Sequence, residues 1–337
     1  MDRVRIGIVG AGGIVRQRHV PGLMRLGCVE IRAVANRRRE SAEVFVRDFG
    51  LGAEVVGDWK ELVGRDDIDV VWIGAWPCLH ESVTVAALEA GKHVFCQARM
   101  AMDLASARRM LEAARRRGDL VTMLCPPPHG LREDLWMKEL IAGGAVGEVE
   151  SLRLLSLNGA FRDAGEPLHW RQRPELSGKN ILTLGIHAEV LHRWVGRFRV
   201  IWADGRVRVP FRGGERVRVP DELVVAVEGD GGWSGLLDFS GVWGGGVEER
   251  LEVRGSEGVL FFDYLSGRVE RVGADGRREV CEAPAGLLRE WRVEEEFIEA
   301  VRNSGGERPR PSFEDGVAYM EVVEGVSEKL AEGGWLV

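Results

Sequence analysis

Four small residues after an apolar run carry the first chemistry of this chain. Residues 4–15 read VRIGIVGAGGIV: an apolar strand, then Gly10-Ala11-Gly12-Gly13, then a helix-like segment. Gly10 permits a tight turn, and Gly12 lets backbone approach a diphosphate with no side chain between. The helix behind them offers unpaired N–H groups at its positive end. Gly10, Gly12, Gly13 and Ile14 are therefore the candidate pyrophosphate contacts of a dinucleotide. The third small position of the G-x-G-x-x-G/A pattern holds Val15, which predicts looser helix–strand packing there.

A second apolar strand, Val29–Ala35, ends at Asn36-Arg37-Arg38-Arg39. A site selective for NAD presents a carboxylate to the ribose hydroxyls at this place. None is here. Guanidinium groups instead attract a 2′-phosphate through charge-assisted, bidentate hydrogen bonds, so Asn36, Arg37 and Arg38 predict a preference for NADP over NAD. The competing reading is a solvated basic helix start ahead of Glu40 and Glu43.

The elements that must hold these residues follow from the pattern. Apolar runs at Ile68–Gly74, His93–Cys96 and Leu120–Cys125 alternate with helical spacing at Ser41–Phe49, Glu81–Ala90 and Leu104–Arg117. Strands alternating with helices predict an α/β fold with an N-terminal Rossmann, doubly wound parallel sheet over residues 1–125. Pro126-Pro127-Pro128 stops ladder pairing and marks the junction. Residues 126–337 then form a C-terminal α/β domain. Its large sheet is mainly antiparallel, with strands at Arg199–Arg208, Leu223–Glu228, Gly235–Phe239, Glu249–Val253 and Val259–Tyr264. Helices are expected at Leu131–Ala142, Arg289–Val301 and Asp315–Ala331.

At 337 residues the chain is long enough for two cores, and a net charge of −7 argues against nucleic acid as a partner. No apolar run approaches the ~18 residues of a membrane span, and there is no leader-like start. Five cysteines, scattered without C-x-x-C pairs, read as reduced, so a cytoplasmic location is expected. The seven histidines look dispersed, with no H-E-x-x-H, so no metal site is expected. No G-x-S-x-G elbow supports serine hydrolysis.

Three further segments, Ala87–Met100 (ALEAGKHVFCQARM), Ser177–Gly196 (SGKNILTLGIHAEVLHRWVG) and Ser312–Trp335, resemble the glucose–fructose oxidoreductase, inositol 2-dehydrogenase and rhizopine catabolism family, Gfo/Idh/MocA. The likeness runs through nearly the whole chain in order. It implies a C-terminal domain with an open mixed sheet and NAD(P)-linked oxidation or reduction of a sugar, polyol or related carbonyl compound. It also implies a homodimer or homotetramer joined through the open sheet face.

The family's Glu-Lys-Pro falls here on Gln97, Ala98 and Arg99, and the aspartate of its second motif falls on Thr183, while His187 keeps the histidine. Gln97 is thereby implied to border the cofactor and Thr183 the substrate. Hydride transfer needs a group that exchanges the hydroxyl proton, and Ala98 has none. His187 is the leading candidate, because an ordinary imidazole titrates near neutrality. Lys179 offers an amine, and Arg99 a positive charge that polarises without titrating. By the same resemblance Trp76 and Pro77 pack on the cofactor, His80 opens the next helix beside it, and Trp170 and Arg171 contact substrate. Pro127, Pro128 and His129 replace a polar run at the hinge, which predicts a stiff wall poor in hydrogen bonds. Two other readings remain at this point: a dinucleotide-binding protein without redox turnover, and an enzyme that recycles a tightly held NAD(P) during elimination or glycoside cleavage.

Overall fold

The structure, a computed structural model, describes residues 3–303, 306 and 308–335. It divides into two compact units, Met1–Pro126 with Arg292–Val317, and Pro127–Trp291 with Ala318–Val337.

In the first unit six strands, β1 (Val4–Val9), β2 (Val29–Ala35), β3 (Glu54–Val56), β4 (Val70–Ile73), β5 (His93–Cys96) and β6 (Thr122–Leu124), form one sheet in the order β3-β2-β1-β4-β5-β6. Every neighbouring pair is parallel. The continuous apolar composition explains this: all four residues of β4 are buried, as a strand covered on both faces requires. Strand order reverses between β1 and β4, and the carboxyl ends there leave the crevice where such sheets take ligands.

The helices of this unit include α1 (Val20–Arg25), α2 (Arg39–Asp48), α3 (Trp59–Val63), α4 (Pro77–Glu89), α5 (Leu104–Arg116) and, from the later segment, Val293–Arg302. Asp58 and Asp103 cap α3 and α5, accepting the N–H of Lys60 at 3.1 Å and of Ser106 at 2.7 Å. α4 begins at Pro77 rather than at Glu81 as the pattern suggested, because proline fits the first helical position where no N–H is needed. The segment 292–317 also belongs here, whereas the sequence assigned everything beyond 125 to the second domain. Its reason is aromatic packing. Trp72 stacks on Phe95 with centroids 3.8 Å apart, and Phe297 meets both edge-on at 5.7 and 5.5 Å.

The second unit carries β7 (Val149–Leu157), β8 (Phe198–Arg206), the short pair β9 (Phe211–Arg212) and β10 (Glu215–Arg216), then β11 (Glu222–Gly229), β12 (Ser234–Ser240), β13 (Glu248–Gly255), β14 (Gly258–Asp263), β15 (Arg268–Gly273) and β16 (Arg278–Cys281). Eight of them make a sheet in the order β16-β15-β14-β13-β7-β12-β11-β8. β7 and β12 are parallel and the remaining pairs antiparallel, so the sheet is mixed. β11 alternates strictly, with Leu223, Val225 and Val227 on the buried face.

Helices α6 (Asp134–Ala142), α7 (Pro174–Ser177) and α8 (Leu184–Val195) accompany it. α8 is pinned to α6 by the buried carboxylate of Asp134, which accepts from Trp194 Nε1 at 2.8 Å and pairs with Arg193 at 2.5 Å. Glu189 holds the same guanidinium at 3.0 Å from one turn back. That anchoring holds the last turn of α8, and His187 lies at the opposite end of the helix, in its first turn.

Candidate active site

In the first unit the glycine turn is shaped by its neighbours. Gly10 has φ +89°, and a Cβ there would overlap the backbone of Ala75. Its N–H donates to Ala35 O at 2.8 Å, locking the turn to the end of β2. Gly12 and Gly13 differ. A Cβ on Gly12 would stand at an ordinary 3.6 Å from Gly74 O, and one on Gly13 would meet nothing within 4 Å. The protein's own packing does not require those two glycines, so they leave a bare cradle that a ligand's phosphates can fill.

Beyond Ile14 the helix opens with a π-helical turn, Val15–His19, before α1. Val15 is fully buried without looser packing, correcting the expectation. Gly74 supplies the room, since a Cβ on that glycine would collide with the Val15 side chain.

The side chains of the Asn36 turn divide into those that pair within the turn and those that stay exposed. Asn36 Nδ2 donates to Ser41 Oγ at 2.8 Å, and its Oδ1 accepts the Arg37 N–H at 3.1 Å, so this side chain shapes the turn. Arg39 pairs with Glu43 at 3.0 Å, as a solvated helix start would. Arg37 and Arg38 remain exposed. The Arg37 guanidinium lies 4.9 Å from the ring centre of Trp76, the residue that precedes α4, giving a planar cation-and-indole pair.

His80 has a structural task. Fully buried, it sets Nδ1 3.0 Å from Arg99 O and 3.1 Å from Met100 O, and Nε2 3.0 Å from Ala75 O. It thereby ties the turn after β4 to the turn after β5. Burial lowers its pKa, against the pull of the carbonyl oxygens that face both ring nitrogens. His80→Leu leaves carbonyls without partners and should cost about 1–3 kcal/mol, read as a lower urea midpoint at unchanged slope.

Gln97 is also turned inward. Its Nε2 meets His19 Nε2, and His19 Nδ1 lies 2.5 Å from Glu294 Oε1. Arg99 is 1% exposed, and its carbonyl serves His80. Neither residue is presented as the sequence suggested.

The second unit assembles a cluster that the sequence did not disclose. His187 lies in the first turn of α8, its N–H donating to Thr183 O at 3.1 Å. The ring is 0% exposed, and among the described residues neither nitrogen has a hydrogen-bond partner. His129, Tyr264 and Phe239 surround it, with ring centroids at 5.7, 5.3 and 5.9 Å. Burial, reinforced by nearby His129, lowers its pKa to about 3, so the imidazole is neutral and does not titrate near neutrality as expected.

Beside it, His129 Nδ1 and Glu249 Oε2 are 2.8 Å apart. Glu249 Oε1 accepts from Ser156 Oγ at 3.4 Å, and Ser156 Oγ lies 2.9 Å from Thr183 Oγ1. Burial opposes ionisation of Glu249, but the His129 hydrogen bond and charge hold its pKa below the usual value. The motif's lost carboxylate at Thr183 is thus answered by a carboxylate from β13, joined to Thr183 through one hydroxyl. The hinge residue His129 is part of this network rather than an inert wall.

One donor atom each from His129, His187 and Glu249 lie within 4.8 Å of one another, so two of the seven histidines are not dispersed. A signal for Glu249 was present in the sequence. It occupies the inward register of β13 with Leu251 and Val253, where an acidic residue needs a reason.

Lys179 does not join this cluster. Its ammonium pairs instead with Glu324. Trp170 and Arg171 form a 3₁₀ turn capped by His169, whose Nδ1 accepts the Arg171 N–H at 3.2 Å. The Arg171 guanidinium covers the Trp170 ring at 4.4 Å and has no carboxylate partner among the described residues. Burial lowers its pKa, so the guanidinium is a partly desolvated cation.

Comparison with known proteins agrees with both units. A family described as an oxidoreductase family with an NAD-binding Rossmann fold, GFO/IDH/MocA, matches residues 4–124, and the GFO/IDH/MocA C-terminal domain matches residues 135–261. A 1,5-anhydro-D-fructose reductase from Ensifer adhaerens is 30% identical over 352 residues, covering 98% of this chain and 97% of that protein. Levoglucosan dehydrogenase from Pseudarthrobacter phenanthrenivorans is 24% identical over 388 residues, covering 100% and 98%. Among solved structures, a levoglucosan dehydrogenase in complex with NADH and levoglucosan superposes with a TM-score of 0.83 at 22% identity, covering 98% of this chain and 97% of that one, a likeness of fold. No described helix is long and apolar enough to cross a membrane.

Proposed function

This chain belongs to the GFO/IDH/MocA family of oxidoreductases, and from that premise we propose that it is an NADP(H)-preferring enzyme that interconverts a hydroxyl and a carbonyl on a sugar, polyol or related compound. The observation that carries the reading is His187, a fully buried, neutral imidazole whose two nitrogens have no partner among the described residues. Buried polar groups are ordinarily satisfied, so this ring offers an N–H and a lone pair to a substrate oxygen.

The bare cradle at Gly12 and Gly13 fits a pyrophosphate, and Trp76 with Arg37 offers a planar flank for the nucleoside. When bound, the nicotinamide supplies or accepts the hydride. The protein's part is to hold the substrate oxygen and its proton. Neutral His187 presents an N–H to a carbonyl oxygen or accepts from a hydroxyl, and Arg171 on its indole platform binds a second oxygen. Glu249, held by His129 and Ser156, keeps a carboxylate in the cluster despite Thr183. That weighs against a protein that only binds dinucleotide.

The relatives' names make 1,5-anhydro-D-fructose the first substrate to try, with levoglucosan for the oxidative direction. Consumption of NADPH with such a carbonyl compound is the expected result; none across a panel of ketoses, anhydrosugars and inosose would remove the reading.

The preference for NADP rests on Arg37 and Arg38. The double change Arg37→Ala, Arg38→Ala should weaken NADPH by about 10–100-fold, the loss of one or two charge-assisted hydrogen bonds, with little change for NADH. Tryptophan fluorescence quenching measures both, and equal weakening would place the 2′-phosphate elsewhere.

A homo-oligomer is part of the same reading, supported by the sheet face. Trp202, Ala226 and Leu236 stand side by side across β8, β11 and β12, with Trp202 and Leu236 exposed. All five cysteines are unpaired, which supports a reducing, cytoplasmic setting.

A further inference from the structure

We propose that His129, His187 and Glu249 bind a divalent first-row transition metal, zinc by the kind and number of donors, with one coordination position left for a substrate oxygen. Two imidazoles and a carboxylate are a donor set of catalytic zinc centres, which hold the metal through three side chains and keep the fourth place open. Here one donor atom from each of the three lies within 4.8 Å of the others, and none is on an exposed surface loop of acids.

The surroundings favour a cation over a closed hydrogen-bond network. His187 is 0% exposed with both nitrogens unpartnered among the described residues, and the adjoining Tyr264 hydroxyl is buried and unpartnered too. The protein groups around them leave both unsatisfied. The only direct bond within the trio is His129 to Glu249 at 2.8 Å, and it leaves His187 out. A cation between the three gives His187 a partner and displaces the proton shared by the other two.

Outer support is present. Ser156 donates to Glu249 Oε1, and its own oxygen is held by Thr183, which orients the carboxylate as ligands of metal sites are oriented. Donors about 2.0–2.2 Å from zinc stand roughly 3.3–3.6 Å apart in a tetrahedron, so the trio must close slightly. His129, whose side chain is 31% exposed, can rotate to do so and gives the ion a way in.

The bound ion would polarise a carbonyl oxygen, or lower the pKa of a hydroxyl, at the atom where charge develops during hydride transfer. That catalytic role rests on the oxidoreductase reading above; the binding site does not.

The test uses the full chain, stripped with chelator and titrated with Co²⁺ alone, then Zn²⁺. One equivalent of Co²⁺ with the visible bands of a tetrahedral site, displaced by Zn²⁺, is expected. Glu249→Gln and His129→Asn should each weaken binding by more than about 100-fold, beyond the ~10–100-fold typical of an outer-shell change. Circular dichroism and thermal unfolding without metal show whether the variants fold. Absence of stoichiometric Co²⁺ binding by the unmutated protein overturns the site whatever the variants do, and so does binding that folded variants retain.

Activity read on the same samples separates the two proposals. Metal bound without NADPH turnover leaves the site standing and removes the oxidoreductase reading. Turnover that persists in protein shown to bind no metal does the reverse.

Discussion

His187→Ala lowers kcat by about 10²–10³, the contribution of a positioned hydrogen-bond donor to the reacting oxygen, while the Kd for NADPH stays within about twofold. The asymmetry follows from position. His187 belongs to the second unit and the glycine cradle to the first, and no hydrogen bond of the folded protein is lost with the ring, because its nitrogens have no partners among the described residues. What the substitution removes from the fold is packing against Tyr264 and Phe239, so the variant should remain folded with a lower thermal midpoint. A loss confined to kcat and kcat/KM identifies a group acting on the reacting oxygen. Unchanged turnover would remove His187 from the chemistry, and equal loss of cofactor binding would make it merely structural.

The second large effect belongs to Gly12. Gly12→Ala should leave stability close to wild type yet weaken both NADPH and NADH by about 10–100-fold, equivalent to roughly 1.4–2.7 kcal/mol. A methyl group there meets only Gly74 O at ordinary van der Waals distance, and the backbone needs no positive φ. The damage therefore appears only when a pyrophosphate must approach the bare backbone. Gly10→Ala is the contrasting control, since its methyl group collides with Ala75 and its φ of +89° is unfavourable for alanine, so stability and binding fall together. Isothermal titration beside thermal unfolding separates the cases. Full cofactor affinity in folded Gly12→Ala protein would put the phosphates somewhere other than this turn.

The first sheet was legible because its signals are local. Buried parallel strands are continuous apolar runs, and Gly10 and the proline-rich junction announce turns without reference to distant residues. The second sheet was legible by alternation, though β15 and β16, rich in charged residues, gave no apolar run to read. What escaped was contact between distant segments. Residues 292–317 join the first unit because Phe297 completes an aromatic stack begun by Trp72 and Phe95, and no local pattern encodes that.

The site divides the same way. Gly10 and the arginine cluster were read from their neighbours in sequence. The ion pair of Lys179 could not be read locally, because its partner Glu324 lies in the late helix Phe313–Glu332. The cluster of His129, His187 and Glu249 needed β13 laid beside β7 and the start of α8 held to β7 through Thr183 and Ser156 before it existed. Even so, an inward-facing glutamate in an otherwise apolar register was visible. It is the kind of local inconsistency that marks a functional position.

The central claim is that the protein transfers hydride between a nicotinamide and a carbohydrate carbonyl. The most direct measurement is mass spectrometry of products after incubating the purified chain with NADPH deuterated on the transferred face of nicotinamide C4 and a panel headed by 1,5-anhydro-D-fructose. The account predicts an alcohol product carrying one deuterium on the former carbonyl carbon, with one NADPH oxidised per product and almost none formed by His187→Ala. Bound but unoxidised NADPH, with every carbonyl compound recovered unlabelled, would contradict it.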